Sequence, residues 1–77
     1  MESNSKFPSP WVVDIVRKVY PAGCRVELVR LDDPYSKFTP GERGTVELVD
    51  DTGTVFVHWD NGSTLGVVYG VDGIKRL

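Results

Sequence analysis

Residues 43–69, RGTVELVDDTGTVFVHWDNGSTLGVVY, decide the fold. Val55, Val57 and Trp59 recur with period two, so they share one face of a strand, with Thr54, Phe56 and His58 on the other. Two polar clusters interrupt the alternation. Asp50-Asp51-Thr52-Gly53 reads as a tight connection, and Asp60-Asn61-Gly62-Ser63 as a hairpin turn. The Asn-Gly pair favours a two-residue type I′ turn, because both residues tolerate positive φ. The stretch therefore divides into strands at 45–49, 54–59 and 64–69.

Working outward, residues 25–30 form a further strand with Val26 and Leu28 on one side. The ten residues 31–40, LDDPYSKFTP, are a long loop that 41–44, GERG, turns back into the sheet. On the other side, 70–73 make a turn and 74–77 a short last strand. Five short strands with a long first loop, two tight hairpins and a short final turn predict a mainly β fold, a small five-stranded SH3-like barrel. An OB-fold needs longer strands and often a helix after the third, where Asn61-Gly62 stands here.

Before the first strand the period changes. Ser9 is an N-cap candidate and Pro10 suits the first helical position. Trp11, Val12, Ile15, Val16 and Val19 follow at helical spacing, and Arg17 and Lys18 sit where a helix dipole favours cations. Tyr20-Pro21 ends the segment. A short α-helix at about 9–19 thus belongs to a single barrel domain, 9–77, preceded by a flexible tail at 1–8. So short a helix is marginal alone and must dock. The Trp11/Ile15 stripe is the natural cover for Phe56 or for a barrel end, and failing that a dimer surface. Whether it packs on its own barrel or on a partner is open at this stage.

With 77 residues there is room for one domain, and 40% hydrophobic with 26% charged residues is the balance of a soluble globular chain. No apolar run approaches the ~20 residues of a membrane span, so no membrane partner is expected. The net charge of −2 argues against a dedicated nucleic-acid binder, which usually carries a basic surplus. One cysteine, Cys24, and one histidine, His58, make neither a disulfide nor a zinc site, which fits a reducing, cytoplasmic setting. No motif calls for a cofactor, a metal or a small-molecule substrate. His58 has no nucleophile near it in the pattern, and an enzyme is not expected.

Residues 20–77 resemble the domain of unknown function 4314 family of bacteria and their phages, most specifically at Asp32-Asp33-Pro34-Tyr35 and Trp59-Asp60-Asn61-Gly62-Ser63. The resemblance implies a small stand-alone domain, often encoded on mobile elements, with no activity to carry over. Gly44-Thr45-Val46 and residues 55–63 are similar to part of the Mind bomb-type module of eukaryotic ubiquitin ligases, a peptide-recognising barrel, and to KOW-type barrels of ribosomal and transcription proteins. Fold analogy of this kind is a poor warrant for function.

The binding candidates lie in and beside the long loop: Asp32, Asp33, Tyr35, Phe38 and Glu42. Asp32 and Asp33 before Pro34 read first as an Asx-turn, since paired carboxylates for acid–base work would need a partner of matched pKa. Tyr35 is the better contact residue and Phe38 the better core plug. An acidic groove of this kind would take a protein or peptide with basic groups. The alternative is a nucleic-acid-binding barrel using Arg25, Arg30, Lys75 and Arg76, although such residues more often pair with carboxylates such as Glu27 or Glu47. A third reading is an assembly component of a phage or mobile-element complex, joined through the helix.

Overall fold

The computed structural model describes residues 8–31, 38–68 and 70–77. Helix α1 (Pro10–Val19) begins at the expected proline. Ser9 has extended geometry, and its carbonyl accepts the N–H groups of Val12 and Val13 at 3.0 and 3.1 Å. Its side chain makes no capping bond, so the start rests on the preset φ of Pro10 rather than on a hydroxyl cap.

Five strands follow: β1 (Arg25–Arg30), β2 (Arg43–Val49), β3 (Val55–Trp59), β4 (Thr64–Val67) and β5 (Gly73–Arg76). They form one antiparallel sheet in the order β4-β3-β2-β1-β5, which is the strand order of an SH3-like barrel. β2 starts two residues before the expected 45 because Gly44 pairs with both Val26 and Trp59. Only a glycine fits there. An added Cβ would stand 2.6 Å from Val57 Cγ1 and 2.7 Å from the His58 carbonyl oxygen. The pairing of β2 with β3 shifts register between Val46 and Leu48, and that of β1 with β5 between Leu28 and Arg30. Bulges of this kind bend long strands round a small barrel.

The Asn61-Gly62 hairpin forms, but not as a type I′ turn. Gly62 has φ +94°, whereas no non-glycine residue described has positive φ. The Gly62 N–H donates to the Trp59 carbonyl, and the Trp59 N–H to that of Ser63, at 2.9 and 2.8 Å. This is a three-residue loop whose glycine makes the left-handed bulge. Asn61 keeps negative φ because its side chain completes the turn, with Oδ1 accepting the Ser63 N–H at 2.8 Å. The β2–β3 turn repeats the design with Gly53 at φ +81° and Asp50 as the accepting side chain.

The core is mostly valine: Val13, Val16, Val26, Val46, Val49, Val55, Val57 and Val67 with Leu28 and Trp59. β-branched side chains suit a pleated, two-layered interior. Helix α1 packs on its own barrel, closest to β2, and hydrogen bonds tie it to β2 and β5. Arg17 Nε donates to the Val49 carbonyl (3.2 Å), Tyr20 Oη to that of Ile74 (3.3 Å), and Arg76 to that of Val19 (3.2 Å).

The face that docks corrects the sequence expectation. Val13 and Val16 are buried, while Trp11, Ile15 and Val19 stay exposed and do not cover Phe56. Phe56 lies instead beside Gly66 of β4, where a Cβ would come within 3.3 Å of its ring.

Candidate functional site

The long loop between β1 and β2 returns to the barrel through residues 38–42. At its base the Gly41 N–H donates to the Leu28 carbonyl and the Leu28 N–H to that of Glu42, at 2.8 and 2.7 Å. Phe38 is half-buried and meets the Trp59 ring edge-on, with centroids 5.5 Å apart and planes at 66°. Trp59 is fully buried, and its indole N–H donates to the Leu65 carbonyl at 3.3 Å. The aromatic quadrupole favours this crossed arrangement. Phe38 thus packs against the core from the loop arm.

Glu42 is committed on both oxygens. One accepts the Thr39 N–H at 3.1 Å and the other the Asn61 side-chain amide at 3.0 Å. It ties the loop arm to the β3–β4 hairpin. Asp32, Asp33 and Tyr35 lie outside the described residues.

Barrel register puts Arg25, Glu27 and Lys75 on the outer face of β1 and β5. Glu27 stands between two cations, Arg43 at 3.1 Å and Lys75 at 3.5 Å. Their hydrogen bonds and charge, the Arg43 hydrogen bond first, hold its carboxyl below the usual carboxylate range. Arg25 grips Asp60 with two parallel bonds of 2.7 and 2.6 Å and reaches Thr45 Oγ1 at 3.1 Å. The fork raises the Arg25 pKa and lowers that of Asp60. Asp50 is held low chiefly by the Thr52 hydroxyl.

The four basic candidates therefore do not make one stripe. Arg25 and Lys75 share an outer face but are paired with carboxylates. Arg76 pairs in register with Val26, on the opposite side of the strand, and reaches the C-terminus of α1. Arg30 closes β1 beyond the bulge. His58 lies 4.0 Å from Glu47, and Cys24 is half-buried just before β1. Among the described residues no three His, Cys, Asp or Glu side chains gather to hold a metal, and no helix is long and apolar enough to cross a membrane.

A second feature was not legible as a site in the sequence. Between α1 and the β4–β5 turn lies an apolar cleft of about 340 Å³, lined by Ile15, Val19, Tyr20, Val67, Gly70 and Ile74. The helix pattern held one wall, but only folding brings Val67, Gly70 and Ile74 opposite it.

A sheet of this strand order with a long, anchored first loop defines a small SH3-like barrel domain. The chain belongs to the family described as Domain of unknown function (DUF4314), whose family model matches residues 9–77. No curated protein matches it.

Proposed function

We propose that the domain is a non-catalytic module that binds a protein or peptide in the groove beside the 31–43 loop. The observation that carries this reading is the anchoring of the loop arm, by Phe38 on Trp59 and by Glu42 on Asn61. An arm fixed on the core at residues 38–42 loses little entropy when a partner binds beside it, and this favours recognition. Asp32, Asp33 and Tyr35 supply acidic and aromatic contacts from that loop, so the partner segment carries basic groups. Glu27, Asp50 and Asp60 are all shifted toward their charged forms, whereas a general acid working near neutrality needs the opposite shift. A single free cysteine suits a reducing cytoplasm.

The test is capture from host lysate on the immobilised chain at low and high salt, with nuclease controls, comparing wild type, Tyr35→Ala and the Asp32→Asn/Asp33→Asn pair. A protein retained after nuclease, lost with Tyr35→Ala and weakened about threefold to tenfold by the Asn pair, is the expected result. Nucleic acid eluting at moderate salt with no protein enriched would overturn the reading and favour the basic residues.

A further inference from the structure

The tip of the β3–β4 hairpin is Asn61-Gly62, a pair open to attack by backbone nitrogen on the side-chain amide, because glycine puts no side chain in the way. Asn61, Gly62 and Ser63 are exposed, and a Cβ added at Gly62 would meet nothing within 4 Å, so a ring closing here has room. The Asn61 side chain holds two partners. Its Oδ1 accepts the Ser63 N–H at 2.8 Å, and its Nδ2 donates to Glu42 Oε1 at 3.0 Å. We propose that Asn61 is a site of spontaneous deamidation, and that the reaction releases the hairpin from the loop arm.

The step needs water and no other reactant. The Gly62 nitrogen gives its proton to solvent base and bonds to Asn61 Cγ, Nδ2 leaves as ammonia, and a succinimide ring results. Water then opens the ring at one carbonyl to aspartate, or at the other to isoaspartate. Two bonds of the hairpin act on this step in opposite directions. The Ser63 N–H sits on the oxygen where negative charge develops as Cγ is attacked, which favours the reaction. The Gly62 N–H donates to the Trp59 carbonyl at 2.9 Å, and that bond has to open first. Exposed hairpin tips open locally at low cost, so the fold slows the reaction without stopping it.

The product acts on one bond. Aspartate keeps the oxygen that Ser63 uses but sets a second anionic oxygen in place of the Nδ2 donor. Glu42 holds the Thr39 N–H at 3.1 Å with its other oxygen, so two carboxylates meet where a hydrogen bond stood. Like charge then drives Glu42 away and takes the acceptor from Thr39. That this regulates the binding groove rests on the loop-groove reading; the chemistry and the lost bond do not.

The full chain is held folded, and in parallel unfolded in urea, in warm and mildly alkaline buffer for several weeks. Loss of ammonia and gain of water add about 1 Da, and peptide mapping separates Asn61 from Asn4. Asn61 is expected to convert in the folded chain, severalfold more slowly than in urea. Folded chain still intact at Asn61 when the unfolded chain has converted would overturn the proposal. For the release, Asn61→Asp should quicken amide exchange at Thr39 about threefold to tenfold, with Leu28 and Gly41 unchanged. Adding Glu42→Gln should restore protection, because its amide donates to the new carboxylate. Unchanged exchange at Thr39 in Asn61→Asp would overturn the release. Neither readout involves a partner, so a lysate capture that retains no protein overturns the loop-groove reading and leaves this one standing.

Discussion

The Phe38 ring meets the buried Trp59 edge-on at 5.5 Å, which couples the end of the long loop to the centre of the barrel. Loop position and core packing are therefore one energetic unit, and a change at Phe38 is felt at both.

Phe38→Ala should cost about 1–3 kcal/mol, less than for a fully buried phenylalanine, with Phe38→Leu costing less. Urea unfolding followed by tryptophan emission, in a Trp11→Phe background so that Trp59 alone emits, reads both the loss and the altered surroundings of Trp59. Of a total of about 4–10 kcal/mol for a chain this size, that is a large share. No loss in Phe38→Ala would mean that the backbone bonds to Leu28 and the Glu42 side chain hold the loop arm without the ring.

The glycines separate two mechanisms. Gly44→Ala drives a methyl into Val57 and the His58 carbonyl, and backbone is slow to yield, so a loss of about 2–4 kcal/mol is expected. Gly62→Ala meets nothing within 4 Å but must adopt φ +94°, at about 1–2 kcal/mol. Denaturant midpoints should rank Gly44→Ala below Gly62→Ala, and the reverse order would refute the close-approach argument.

Acid should destabilise the fold. Glu27, Asp50 and Asp60 have folded pKa values below their unfolded ones. Their contribution is complete above the unfolded carboxylate range of about 3.9–4.3 and is lost as pH falls through the folded values. Thermal midpoints at low salt should hold level from neutrality to about pH 5 and then decline. Asp50→Asn should make that decline shallower, and a midpoint rising below pH 4 would contradict the assignment.

Arg17 holds the helix to the β2–β3 turn through the Val49 carbonyl and Asp51. Arg17→Ala should cost about 0.5–1.5 kcal/mol and loosen α1 before the barrel. Hydrogen exchange would show faster exchange at α1 amides with β2 and β3 protection kept. Uniformly faster exchange across the chain would mean that helix and barrel open together.

Much of the fold was legible because its determinants are local. The alternation at Val55, Val57 and Trp59 placed those three in the core, and Pro10 placed the helix start. Turn positions could be read from Gly53 and Gly62, although the type of the second turn could not, since Asn61 bonds both to Ser63 and across to Glu42. The candidate site was less legible. Glu42 looked like a ligand-facing acid and is bound to Thr39 and Asn61, and the basic residues proved to be divided between faces, with Arg25, Lys75 and Arg76 held by partners distant in sequence.

Hydrophobic period and turn chemistry act over a few residues, and these local signals specify the strand count, the helix, the turn positions and the inward face of the readable strands. The buried face of α1 was settled by folding. Trp11, Val12, Val13, Ile15, Val16 and Val19 spread over about 200° of the helix, a wider arc than one contact can bury, so the pattern does not name which edge of it docks. The barrel accepts Val13 and Val16, Arg17, Tyr20 and Arg76 fasten them there, and Trp11, Ile15 and Val19 are left outside.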